Sequence, residues 1–263
     1  MSLKFKAFLV VNLLVATALA EENFDVLSIE NVPFPSSDHI PATINSPSFS
    51  KEIPEFTVCF RFLIKFYNDA WLNLIRALYK RDMLPWNHRY FGEFLDFNNG
   101  FEYQGYQFLL TYLYRNIPDG GVGGKRHPQF MGGYLPQKVT TGKWFHSCTA
   151  YSSIQHKNHG YYNGMKVYSF NYSDPVEGPM PADTFHYMVL GVNMRGFITD
   201  LQIYDTFFNE LEMATWTSGC QQQYGKIFSW DGNKVNLTMA TDSPLNVTII
   251  KRPKSEICPE PKK

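Results

Sequence analysis

Between Phe56 and Phe66 every second residue is large and apolar: Phe56, Val58, Phe60, Phe62, Ile64 and Phe66 alternate with Thr57, Cys59, Arg61, Leu63 and Lys65. A period of two held over this length predicts a strand with one heavily buried face. A helix would scatter those phenylalanines around its circumference. Similar alternation recurs over Tyr106–Arg115 and over Trp144–Tyr151. Tyr161 to Val167 carries Asn163-Gly164 between strand-forming residues, and that dipeptide suits a hairpin turn in which both central residues need positive φ. Phe185–Leu190 and Phe197–Tyr204 read as further strands, with shorter ones at Ile227–Trp230 and Val247–Ile250. One helix is expected near residues 210–218: Asn209 caps it, Glu212 at the third position closes a capping box, and Gly219 ends it. Many strands with turn signals between them and one short helix predict an all-β sandwich or jelly roll.

The N-terminus speaks for export. Lys4 and Lys6 precede a nearly unbroken apolar run from Ala7 to Leu19, and Ala18-Leu19-Ala20 is a small-x-small cleavage site. Residues 1–20 are therefore expected to be a signal peptide cut after Ala20. A membrane anchor would need about 20 apolar residues and different flanks, and no later segment is long enough to span a bilayer. Four cysteines follow, Cys59, Cys148, Cys220 and Cys258. An even number in an exported chain reads as two disulfides with three connectivities open. No Cys-x-x-Cys pair is present, which argues against zinc or redox chemistry. Asn171-Tyr-Ser173, Asn236-Leu-Thr238 and Asn246-Val-Thr248 are N-glycosylation sequons and mark exposed loops or outward strand faces if used.

Lysine plus arginine and aspartate plus glutamate both number 24, a net charge of zero. That balance excludes broad binding to nucleic acid or anionic membrane, which needs a basic surplus. Residues 21–50, rich in serine, asparagine, acidic groups and proline, read as an extended N-terminal segment. Residues 51–258 are expected to form the β-sandwich domain, and 259–263 a charged tail.

The order of these pieces resembles the pentraxin and laminin-G-like lectin family. Phe56-Thr-Val-Cys59-Phe-Arg resembles its early Phe-Thr-x-Cys strand, and Gly142-Lys-Trp144-Phe-His146-Ser-Cys148 its Trp-x-His-x-Cys strand. Tyr162-Asn-Gly164 is similar to its hairpin turn. Gly196-Phe-Ile-Thr-Asp200-Leu-Gln-Ile-Tyr204-Asp205, with Leu211-Glu212 and Cys220 behind it, resembles its Gly-x-Ile-x-Asp strand and following helix, and Trp230 stands where a final core tryptophan is expected. The resemblance covers roughly residues 56–232 and implies a concanavalin A-like two-sheet jelly-roll sandwich of roughly twelve to fourteen strands. It also implies a Cys59–Cys148 bridge, leaving Cys220 and Cys258 for each other.

The chain departs from that pattern where pentraxins hold calcium, in an acidic loop before the Gly-x-Ile strand. Leu190-Gly-Val-Asn193-Met-Arg195-Gly196 supplies no carboxylate, whereas calcium takes about six to eight oxygen ligands. The calcium site is expected to be missing, and no other cofactor is implied. His156-Lys-Asn-His159, with His146 upstream, has metal-ligand residue types, but it sits in a polar loop without a carboxylate to orient the rings. The pair reads as exposed loop histidines, and His146 as a core or edge residue. Glu93 and Asp96 come nearest to a glycosidase pair, but carboxylates three apart face opposite sides of a strand. Gly120–Gly124 with Lys125, Arg126 and His127 reads as a surface loop rather than an anion cradle. Among the aromatics, Trp71 and Tyr106 are expected in the core, and Trp86, flanked by Pro85, Asn87 and His88, is the candidate ligand contact. The resemblance thus points to a secreted, non-catalytic protein that recognises an extracellular glycan or glycoprotein, with oligomerisation open. An adhesive module acting through protein contacts is the alternative, and a divergent glycoside hydrolase a more distant one.

Overall fold

The computed structural model describes residues 22–30, 42–46, 50–67, 73–78, 94–103, 106–116, 126–134, 141–171, 179–180, 182, 184–192, 194–220, 223–231, 237–239 and 246–258. In chain order the strands are β1 (Asn23–Glu30), β2 (Ala42–Asn45), β3 (Glu55–Tyr67), β4 (Asn73–Leu78), β5 (Phe94–Tyr103), β6 (Tyr106–Asn116), β7 (Arg126–Tyr134) and β8 (Trp144–Ser152). They continue as β9 (Lys157–Tyr162), β10 (Met165–Asn171), β11 (Tyr187–Val192), β12 (Met194–Tyr204), β13 (Phe228–Ser229), β14 (Leu237–Met239) and β15 (Asn246–Pro253). Helix α1 (Glu210–Ser218) follows β12, and a four-residue helix that the sequence did not signal, α2 (Lys254–Ile257), follows β15.

The strands form two antiparallel sheets. One runs β10-β9-β8-β3-β12-β1-β15 with β13 beside β12; the other runs β14-β2-β11-β4-β5-β6-β7. This is the two-sheet jelly-roll sandwich expected of the chain. Among the described residues β2 and β14, of four and three residues, are too short to have shown a period in the sequence.

The core lies between the sheets. Phe56, Val58, Phe60, Phe62 and Ile64 of β3 meet Leu27, Ile44, Leu74, Met188 and Leu190 from β1, β2, β4 and β11. Phe56 sets its ring edge-on to Phe185, centroids 5.3 Å apart, a favoured aromatic geometry. The other face of β3 is also closed over its middle: Thr57, Cys59 and Arg61 are fully buried and Leu63 nearly so, with Lys65 reaching water. One buried face was expected; the structure has two over most of the strand, because α1 and the C-terminal turn lie over the outside of the larger sheet. Met213 and Trp216 of α1 pack there with Cys59, Cys148 and Tyr204, while Ile257 and Cys258 pack with Phe24, Leu63 and Phe197.

Within the segment expected to be extended, the described residues Asn23–Glu30 and Ala42–Asn45 are strands of the two sheets. β1 sits inside the larger sheet, paired from Val26 to Ile29 with β12 and along its whole length with β15. Its Val26, Leu27 and Ile29 are fully buried. Averaging composition over thirty residues hid this short apolar strand beneath the prolines that follow it. The helix forms as its cap dictates: Asn209 Oδ1 accepts from the amides of Leu211 and Glu212, and Glu212 Oε2 accepts from the Asn209 amide. The β9–β10 hairpin turns on Asn163 and Gly164 at φ 47° and 80°.

Candidate functional site

Directly beneath α1 lies a cluster of charged side chains that the alternating pattern of β3 did not reveal. Arg61 projects from the outer face of β3. Its Nε donates to Asp200 Oδ2 at 2.8 Å, and its Nη1 to His146 Nδ1 at 2.8 Å and to the Gly219 carbonyl at 3.0 Å. The guanidinium carbon stands 4.3 Å from the Trp216 ring centroid, a cation–π stack that closes it from above. Gln202 Nε2 donates to the second oxygen of Asp200, and the Gly225 amide donates to Gln202. Trp216 Nε1 donates to the Tyr204 hydroxyl, which donates to the Gln223 carbonyl.

A β-bulge aims Asp200 at this point. Thr199 pairs with Arg61 and Gln202 with Cys59, so three steps along β12 match two along β3. Asp200 takes up the extra residue in the left-handed region, φ 50°, and such a bulge re-aims a side chain. Burial pushes its carboxyl up, with Arg61 and Gln202 opposing.

His146 is held neutral. Burial first, and the Arg61 charge second, push its imidazole down to about 4. Arginine can only donate, so Nδ1 accepts from it, and Nε2 carries the proton donated to the Ile257 carbonyl at 3.0 Å. In that tautomer the Nδ1 contact to the Thr217 carbonyl, 3.1 Å, sets two acceptors side by side. Arg61, His146 and Asp200 are 0, 3 and 2% exposed. The cluster is shut away from water and braces β3, β8, β12, α1 and the C-terminal turn against one another.

The histidines expected in a loop are divided by the hairpin. His156 is exposed in the turn before β9. His159 is fully buried within β9, donating from Nε2 to the Phe208 carbonyl at 2.7 Å and lying 4.7 Å from the Phe207 ring centroid. Burial holds its pKa down. Its exposure was misjudged because β9 begins at Lys157, inside what reads as a polar loop. Among the described residues no three histidines, cysteines or acids are grouped to hold a metal ion.

The cysteines pair as Cys59–Cys148, across adjacent positions of β3 and β8 with Cα atoms 4.1 Å apart, and Cys220–Cys258, tying the end of α1 to the C-terminal turn. Asn171 ends β10 and Asn246 begins β15, both exposed. Trp86, Trp71, Glu93, Asn236, residues 1–20 and Gly120–Lys125 lie outside the described residues; Asp96 falls in β5, Tyr106 in β6, and Arg126 and His127 in β7. Leu211, Glu212, Thr215, Trp216 and Gln223 line an open recess of ≈ 210 Å³ at the side of α1. Leu211 is 76% exposed there, and Thr215, Gln223 and Glu212 bring a hydroxyl, an amide and a carboxylate to the lining. No sequence signal marked it.

No family model matches the chain, and no curated protein matches it. Solved structures do. A heptameric SAP-like pentraxin from Limulus polyphemus superposes with a TM-score of 0.61 at 15% identity, over 90% of this chain and 97% of that one. The full extracellular region of zebrafish Gpr126/Adgrg6 matches with a TM-score of 0.52 at 14% identity, over 86% of this chain but only 26% of its own length. The chain has the pentraxin-like fold. Among the described residues no helix is long and apolar enough to cross a membrane.

Proposed function

We propose that this is a secreted recognition protein without catalytic activity, which binds an extracellular glycan or glycoprotein in the manner of a lectin and without the pentraxin calcium loop. The observation that carries the reading is the match to a pentraxin over nearly the whole of both chains. Fold alone does not fix function, but the buried charges favour the same reading, since Arg61, Asp200 and His146 are consumed in holding elements together. Two disulfides suit an oxidising, extracellular setting. Trp86 and the recess beside α1 are the proposed contact regions.

Glycan-array binding by the secreted protein tests this. Binding that persists in a calcium chelator and falls in Trp86→Ala or Gln223→Ala supports it. Binding that needs micromolar calcium shows the ion held elsewhere in the chain, and turnover of a β-glucan overturns the non-catalytic assignment. A second reading, an adhesive module working through protein contacts, draws on the occurrence of this fold within a larger extracellular region. Capture of protein partners with an empty glycan array would favour it.

A further inference from the structure

The outermost strands of a sheet present unpaired N–H and C=O groups that pair with another chain unless something guards them. The larger sheet ends on β10 at one side and β15 at the other. Among the described residues β10 pairs only with β9, and β15 only with β1. Neither edge is short, at 7 and 8 residues. On β10 an irregularity between Lys166 and Tyr168 disturbs the first half, but from Tyr168 to Asn171 the ladder is regular. Ser169, Phe170 and Asn171 are exposed on that regular stretch, and Phe170 adds an apolar ring that is 40% open to solvent. On β15 Asn246, Thr248 and Lys251 are exposed, and the lysine lies beyond the first half of the strand.

The sequence sets an acceptor asparagine on each of these strands and on none between them. Asn171 of Asn171-Tyr-Ser173 is the last residue of β10, beside Phe170, and Asn246 of Asn246-Val-Thr248 is the first residue of β15. We infer that N-linked glycans at Asn171 and Asn246 cap the two outer strands of the larger sheet and prevent a second copy of this chain from adding to either edge. A hydrated oligosaccharide at a strand end occupies the space an incoming backbone needs. The modification draws on a lipid-pyrophosphate-linked oligosaccharide. The asparagine amide nitrogen bonds to C1 of the first sugar and gives up a proton, while the bond from C1 to the pyrophosphate oxygen breaks and the lipid pyrophosphate leaves with the electron pair. The inference rests on the proposed export, because the donor and its transferase belong to the secretory compartment.

The full chain secreted from cultured eukaryotic cells supplies the test. Release of the glycans by an amidase that hydrolyses the asparagine–sugar amide bond, run in heavy-oxygen water, converts each occupied asparagine to a mass-labelled aspartate, and both Asn171 and Asn246 should be labelled in most of the secreted protein. Sedimentation then compares the native protein, the same folded protein trimmed to single sugars, and Ser173→Ala/Thr248→Val, which removes both sequons while keeping both asparagines. Trimming and substitution should each raise the weight-average mass about two-fold or more at micromolar concentration, as edge-to-edge pairing predicts. A secreted chain with either asparagine unmodified, or a mass unmoved by trimming, overturns the capping role alone. A chain retained in the cell without glycans overturns export and capping together.

Discussion

Arg61 Nε lies 2.8 Å from Asp200 Oδ2, and both side chains are shut away from water beneath α1. A buried pair repays its desolvation only when the remaining donors and acceptors are also used. Here Gln202 takes the second carboxylate oxygen, and His146 and the Gly219 carbonyl take Nη1, while Nη2 is buried against the Trp216 ring without an acceptor among the described residues. The brace therefore acts as one unit, and its members should not behave independently on substitution.

Removing the cation alone tests this. Arg61→Met leaves Asp200 buried without its partner and should cost about 3–5 kcal/mol. Asn tolerates the left-handed backbone at position 200, so Arg61→Met/Asp200→Asn removes both charges without new strain there. The double variant should be more stable than Arg61→Met by a kilocalorie or more in urea melts, and costs that simply add would refute the coupling.

The pH dependence of stability follows from His146. Its imidazole is held at about 4 in the folded chain and returns to about 6.5 when unfolded. Between those values the unfolded chain binds a proton that the folded one refuses. The contribution is thus complete above about pH 6.5 and drains away as pH falls towards 4, a total on the order of 3 kcal/mol. His159, lowered by burial, acts in the same direction. Asp200, raised by burial, acts in the opposite one, so the comparison must be between the chain and His146→Gln. The parent should lose more stability than the variant between about pH 7 and pH 4.5; parallel curves would show that His146 is not the titrating group.

Gly196 is required by a close approach of backbone to backbone. It sits at an irregularity between β12 and β3 at φ 155°, and a Cβ there would lie 2.0 Å from the Leu63 carbonyl oxygen. Neither strand can yield, since both are in the middle of the sheet. Gly196→Ala should cost more than the roughly 1–3 kcal/mol of backbone strain alone and cut secretion sharply. Wild-type yield and melting temperature would show that the two strands can separate.

Much of this was legible in the residues. The period of two in β3 and β8, the Asn163-Gly164 turn and the Asn209–Glu212 cap are local signals, and local chemistry decides them. Arg61 and Asp200 stood in the motifs that carry the resemblance, but their pairing did not show, because what joins them is register and a bulge between positions 139 residues apart in the chain. His159 was misjudged for a similar reason: its burial comes from Phe207 and Phe208, ahead of a helix far along the sequence. The recess beside α1 was invisible, since Gln223 and Thr215 meet there only after the chain turns back beyond Gly219.

The two disulfides should differ in what they hold. Cys59 and Cys148 face each other on strands already joined by a full ladder, so Cys59→Ala/Cys148→Ala should lower global stability by about 4 kcal/mol in the chain-entropy model without opening any one region first. Cys220–Cys258 anchors a turn whose α2 is only four residues long, and whose Ile257 carbonyl accepts the His146 proton. In Cys220→Ser/Cys258→Ser the turn should detach while the sandwich stays folded. Hydrogen exchange should then quicken in residues 254–258 ahead of β3 and β8, and solvent reaching the outer face should raise the His146 pKa from about 4 towards its ordinary value, readable by NMR titration. Uniform loss of protection, or an unmoved His146, would place the anchoring elsewhere than in that disulfide.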